Sequence, residues 1–161
     1  MRHIRILFDR QRLELLDDSN VIKSYPVSTA EKGPGEQMGS YCTPRGEHLV
    51  RAKIGARAPL NTVFVERRPT GEIFNSELDA QHPGRDWILT RILWLSGLES
   101  GFNRGGCVDT MRRYIYIHGT PDRVALGRPE SKGCVRMRNA DIVELFDLIP
   151  VGAHVTLLTN G

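Results

Sequence analysis

The stretch that decides how this chain is read is 114–137, YIYIHGTPDRVALGRPESKGCVRM. It opens on Tyr114, Ile115, Tyr116 and Ile117, all β-branched or aromatic and suited to a pleated, half-buried surface, so a strand is expected there with His118 at its end. Gly119 follows, then a loop punctuated by Pro121, Asp122, Gly127 and Pro129, then a short segment in which Gly133 directly precedes Cys134. A histidine at a strand end, joined by one loop to a cysteine after a glycine, is what nucleophilic thiol chemistry requires.

A thiol is a strong nucleophile only as the thiolate, so a reactive cysteine needs a base or a positive field beside it. His118 supplies the base. If 131–137 is extended, alternate side chains share a face, and Lys132, Cys134 and Arg136 recur on it at about 6.6 Å intervals. Two cations then flank the thiol and attract an anionic substrate, Arg136 presenting a planar fork to a carboxylate. Gly133 lets a substrate carbonyl approach the backbone, where the N–H groups of Gly133 and Cys134 are placed to stabilise an oxyanion.

His118-Gly119-Thr120, then Ser131-Lys132-Gly133-Cys134-Val135-Arg136-Met137, then Asn139 and Asp141 leading a helix, resembles the signature of the L,D-transpeptidase catalytic domain, the YkuD-like family. Thr43-Pro44-Arg45-Gly46 is similar to that family's Thr-Pro-x-Gly turn, and 152–158 to its last strand. The resemblance implies a cysteine acyltransferase acting on peptidoglycan stem peptides, at the bond between an L-configured centre, often of meso-diaminopimelate, and D-alanine. It implies that the Gly119 carbonyl orients His118 and that Thr43, Arg45 and Ser131 lie near the substrate cleft; Asn103 is a further candidate for that lining. It also implies susceptibility to carbapenems. Lys132 stands where the family commonly has a second histidine, which leaves the base at 118 in place and removes that imidazole from any part in orienting the acyl acceptor.

Composition bounds the alternatives. The 161 residues suit a single domain, 1–161, large enough to bury a core without staples. The net charge of +3 comes without a dense Lys/Arg block, which argues against nucleic acid as the partner. No run reaches the roughly 20 apolar residues of a membrane span, and the charged start MRHIRILFDR has no signal-peptide core, so a cytoplasmic location is expected, with a periplasmic one if a leader has been removed. The histidines at 3, 48, 82, 118 and 154 form no metal-binding pair, and neither metal nor cofactor is expected. The three cysteines do not make a framework, although a Cys42–Cys107 bridge stays compatible with the sequence. Gly106-Cys107-Val108 mimics Gly133-Cys134-Val135, but Asp109 beside Cys107 disfavours a thiolate, whereas Lys132 and Arg136 favour one at Cys134.

The remaining chain reads as scaffold. Strands are expected at 3–8, 12–16, 21–27, 48–54, 61–67, 87–95 and 154–158, and one clear helix at about 139–149, capped by Asn139, with Ile142, Leu145, Phe146 and Ile149 as its buried stripe. Cys42 reads as a small buried hydrophobe. Segment 68–84 reads either as a flap or as a long connection. The fold class is mainly β, a sandwich or open barrel with that one helix. Two outcomes of the acyl transfer follow: transfer to water, an L,D-carboxypeptidase trimming muropeptides during murein recycling in the cytoplasm, or transfer to an amine, a transpeptidase cross-linking peptidoglycan outside it. A non-catalytic peptidoglycan-binding module is the reading from a different class.

Overall fold

The computed structural model describes residues 1–160. Its elements are β1 (Arg2–Leu7), β2 (Arg12–Asp17), β3 (Asn20–Ser28), β4 (Gly46–Ile54), β5 (Thr62–Val65), β6 (Arg68–Ile73), α1 (Ser76–Gln81), β7 (Ile88–Gly97), β8 (Tyr116–Thr120), β9 (Val135–Arg138), α2 (Asn139–Leu148) and β10 (His154–Leu158). The strands form one sheet in the order β4-β10-β1-β2-β3-β9-β8-β7-β5-β6, and β4 also pairs with β7, so eight of the ten strands close into a ring. The expected β architecture is therefore a closed, barrel-like sheet, with the β5–β6 hairpin hanging from β7.

Alternation drives the closure. Ile4 and Ile6, Leu13 and Leu15, Tyr25 and Val27, Leu93 and Leu95 all recur at two-residue spacing and all enter one core. Ile142, Leu145 and Phe146 of α2 complete it, each side chain contributing about 1.5–3 kcal/mol when fully buried. Two pairings are parallel, β1 with β10 and β8 with β9. Among the described residues, no helix is long and apolar enough to cross a membrane, and no three His, Cys, Asp or Glu side chains are grouped as metal ligands.

Several local expectations are corrected. The strand expected over Tyr114–Ile117 runs Tyr116–Thr120, because Tyr114 takes a positive φ of 56° in a turn, and it carries His118 at its centre rather than its end. The run 61–67 is not one strand: Glu66 and Arg67 both take positive φ, 50° and 65°, and form a two-residue reversal that sends the chain back as β6. Segment 68–84 is accordingly β6, a short helix and a turn rather than a loop. Ser131 makes an isolated parallel bridge to Ala30, residues 132–134 are bends, and the strand begins only at Val135. Asn139 does not cap α2; Arg138 occupies that position without a side-chain bond, and Asn139 is buried behind β8. Cys42 is half-buried, and all three cysteines are free thiols.

His48 on β4 is a charge-sensitive point in this scaffold. It is fully buried, its Nδ1 3.0 Å from the Gly46 carbonyl and its Nε2 2.9 Å from Thr110 Oγ1. Burial pulls its pKa down to about 4, against the smaller upward pulls of Gly46, Glu99 and Glu36. As pH falls, the unfolded chain binds the proton first, so the stabilisation is complete above about 6.5 and drains away toward pH 4. That displacement corresponds to roughly 3 kcal/mol. In urea unfolding at pH 7.5 and pH 4.5, wild type should lose roughly 2–3 kcal/mol more than His48→Gln; parallel losses in the two proteins would clear His48 of the effect.

Candidate active site

The strands β7, β8 and β9 have two faces. Leu93, Leu95, Ile117, Val135 and Met137 enter the closed core, while the intervening Ile92, Trp94, Tyr116, His118 and Arg136 point the other way. The register places His118 beside Arg136. Cys134, just ahead of β9, reaches back to β8: the Tyr116 N–H donates to its sulfur at 3.3 Å, and its thiol donates to the Tyr114 carbonyl at 3.4 Å. His118 and Cys134 thus stand on one face of neighbouring strands, and the charges of Asp86 and Arg136 act on both.

His118 is 1% exposed, and its Nδ1 lies 2.6 Å from the Gly119 carbonyl. That contact places the ring proton on Nδ1 and leaves Nε2 as the basic nitrogen. Burial holds the His118 pKa below the usual histidine range; Asp86 and the Gly119 carbonyl oppose this, and Arg136 reinforces it. Burial likewise pushes the Cys134 thiol up to about 12, while the Tyr116 N–H, Arg136 and Arg113 pull it down. Cys134 keeps partial solvent access, which tempers the desolvation of the sulfur.

The expectation of a standing thiolate between two cations is therefore corrected. Lys132 sits in the bend, exposed, off the strand face. Arg136 shares its charge with Asp86, Nη2 to Oδ1 at 2.9 Å. Desolvation outweighs what remains of the field, which pushes Cys134 toward the thiol and His118 toward the neutral imidazole.

The turn carrying Gly133 is clamped from below. Gly133 has φ 132°, a backbone conformation that side-chain-bearing residues rarely adopt. Its carbonyl accepts from Thr43 Oγ1 at 2.8 Å, and the same hydroxyl accepts from the Ala30 N–H at 2.9 Å. Ser131 Oγ accepts from the Gly133 N–H at 3.2 Å and donates to the Cys134 carbonyl. Of the two amides expected to face an oxyanion, that of Gly133 is thus already engaged.

The other predicted residues divide. Thr43 and Ser131 are buried beneath the turn, and Asn103 is buried away from it, donating to the Arg45 and Glu47 carbonyls at 3.0 and 3.1 Å. Arg45 is committed to Glu36 through two bonds of 3.0 and 2.8 Å. Lys132 and Arg136 line an open cleft of about 520 Å³ with Asp79, Arg85, Asp86 and Arg123. A second hollow of about 330 Å³, lined by Glu31, Lys32, Tyr41, Ser131 and Lys132, lies on the other side of the turn. In the larger cleft Arg123 pairs with Asp79, Arg85 with Glu72 and Arg136 with Asp86, which leaves Lys132 as the cation without a carboxylate partner among the described residues.

Sequence reasoning missed Asp86 and Arg113. Arg113 is half-buried and donates to the Gly35, Glu36 and Cys42 carbonyls at 3.3, 3.2 and 2.6 Å, tying loop 35–42 beside the nucleophile's turn. Its neighbours Met111, Arg112 and Tyr114 carry no pattern separating it from a solvated arginine, and Asp86 lies in a turn-rich segment with no motif.

The family profile for the YkuD L,D-transpeptidase catalytic domain matches residues 2–157. The chain belongs to this family. Among curated L,D-transpeptidases it is 37% identical over 154 residues to the putative enzyme YkuD of Bacillus licheniformis, covering 96% of this chain and 64% of that protein. It is 42% identical over 149 residues to the putative enzyme YqjB of Bacillus subtilis, covering 92% and 66%. The chain spans about two thirds or less of the length of these curated relatives. An L,D-transpeptidase structure from Mycobacterium smegmatis superposes with a TM-score of 0.58 at 16% identity, over 98% of this chain and 58% of that one. One from Xylanimonas cellulosilytica gives 0.56 at 20% identity, over 98% and 60%. At such identities the likeness is one of fold, and it extends across the whole L,D-transpeptidase-like ring.

Because the Thr43 hydroxyl is fully buried and doubly bonded, Thr43→Val leaves the Gly133 carbonyl and the Ala30 N–H without that partner. The expected cost is about 1–3 kcal/mol, read as a lowered Tm; a Tm equal to wild type would show that the clamp contributes nothing.

Proposed function

We propose that this chain is a cysteine acyl-transfer enzyme that cleaves the bond between an L-centre, meso-diaminopimelate by resemblance, and D-alanine in peptidoglycan stem peptides. The observation carrying this reading is the placement of Cys134, just ahead of β9, against the backbone of the strand that carries His118, with the imidazole tautomer set by the Gly119 carbonyl. As Cys134 attacks the substrate carbonyl, its proton passes to His118 Nε2 and a C–S bond forms. The Cys134 N–H stabilises the oxyanion. The C–N bond to D-alanine then breaks, and His118 returns the proton to the departing amine. Acyl transfer from the thioester regenerates the thiol.

Arg136 is the group proposed to hold a substrate carboxylate, in exchange for Asp86. For the acceptor we favour water. An amine acceptor arrives largely as an ammonium ion, and Lys132, two residues from Cys134 and without a carboxylate partner among the described residues, disfavours its approach. The product is then a tripeptide, and the setting a cytoplasmic one, in the trimming of recycled or precursor muropeptides. Transfer to a second stem, cross-linking outside the cytoplasm, is the alternative favoured by the names of the curated relatives.

Mass analysis of a tetrapeptide digest separates these readings. Release of D-alanine and tripeptide supports hydrolysis, and dimer without tripeptide would establish the transferase instead. Cys134→Ala should lower D-alanine release to background without lowering Tm, and retention of full rate would remove Cys134 from the chemistry. The rate requires neutral His118, so the acid limb of kcat/KM should lie below the ordinary histidine range near 6.5. Asp86 pulls the His118 pKa up, so Asp86→Asn should move that limb to still lower pH; a limb that stays in place or rises would show that Asp86 does not govern the base.

A further inference from the structure

We propose that Thr90, with Asn139 and Asn61, is a positioning group that aims His118 by fixing the Gly119 peptide, an inference that rests on the acyl-transfer reading above. The pairing of β7 with β8 is irregular at one place: Leu89 opposes Gly119 and Ile92 opposes His118, so Thr90 and Arg91 bulge out of the ladder directly across from the His118–Gly119 peptide. Thr90 is fully buried and takes φ 77°, a conformation that a β-branched residue holds only when its surroundings impose it.

Three hydrogen bonds impose it. The Thr90 hydroxyl donates to Asn139 Oδ1 at 2.6 Å and accepts from the Asn61 N–H at 3.1 Å. Asn139 Nδ2 donates to Asn61 Oδ1 at 3.0 Å, which closes the network. The network presses on Gly119: a Cβ added there would run into Asn139 Oδ1 and the Leu89 carbonyl and would crowd the Thr90 side chain. The carbonyl of that same wedged residue meets His118 Nδ1 at 2.6 Å. The hydroxyl of Thr90 thus acts on the base at one remove, by holding Asn139 Oδ1 against the Cα of Gly119, the residue whose carbonyl meets the imidazole. Ordinary packing needs a side chain of this shape at 90; aiming the carbonyl needs its hydroxyl.

Thr90→Val keeps the shape and deletes the hydroxyl. A freed Gly119 carbonyl lets the imidazole proton redistribute between its two nitrogens, and molecules protonated on Nε2 cannot accept the thiol proton. The expected result on the tetrapeptide is a kcat lowered about tenfold with KM unchanged, the scale seen when groups that orient a site's primary ligands are lost. The acid limb should also shift to lower pH, since the Gly119 carbonyl holds the His118 pKa up. Thr90→Ser should restore both. Asn61→Ala keeps the backbone N–H bonded to Thr90 and deletes only the Oδ1 that holds the Asn139 amide; it serves if Thr90→Val does not fold, and its kcat should fall in the same direction, by less. ¹⁵N NMR of the His118 ring reads the tautomer without any substrate: wild type should be protonated at Nδ1, and Thr90→Val should be mixed. A folded Thr90→Val or Asn61→Ala protein with a lowered Tm but the wild-type tautomer and pH profile would overturn the proposal and make the network merely structural. Wild type inactive on the tetrapeptide but protonated at Nδ1, with Thr90→Val mixed, would overturn the acyl-transfer reading and leave the positioning network standing.

Discussion

The site depends on the parallel pairing of β8 with β9. Side chains alternate along a strand, so the register that sets His118 beside Arg136 also sends Ile117 and Val135 into the core together. A slip of one residue would drive the imidazole or the guanidinium into the apolar interior and expose Val135 or Met137. The same burial that closes the ring therefore enforces the catalytic face. Parallel strands cannot be joined by a tight turn, and here the connection is the long loop after Thr120. That loop ends on Gly133, where Thr43 clamps the turn from beneath and Arg113 ties down the segment alongside it.

How much of this was legible in the sequence varies with how local the cause is. The buried stripe of α2 and the alternating strands of the core follow from side-chain periodicity, and the ring recovers them within a residue or two. The Glu66-Arg67 reversal was invisible because neither residue is a usual occupant of positive φ; the pairing of β5 and β6 imposes it. Asn139 was misjudged for a related reason. An asparagine ahead of an apolar helical stripe reads as a cap, yet its amide is drawn into the gap behind Gly119 by Thr90 and Asn61, groups far away in sequence. Lys132 was expected beside the sulfur on the assumption of an extended backbone, and the φ of 132° at Gly133 breaks that alternation. Asp86 and Arg113 are brought in by tertiary packing alone.

The electrostatics invert the simple picture drawn from residue types. Counting charges near Cys134 predicts a stabilised thiolate, but the count ignores that Arg136 is already paired and that the sulfur is largely desolvated. In the proposed reaction this has a mechanistic consequence. A substrate carboxylate that takes Arg136 from Asp86 adds a negative charge while that of Asp86 stays nearby, so binding does not make the field at the sulfur more positive. Arg136 alone then has no means of converting the resting thiol into a thiolate before attack. The proton has to leave in step with C–S bond formation, toward a base that is neutral at the outset and presents the right nitrogen. Burial supplies the first condition at His118 by holding its pKa down, and the Gly119 carbonyl supplies the second. Orientation of the imidazole, rather than the density of positive charge around the sulfur, is on this argument the property that the fold has to control most tightly.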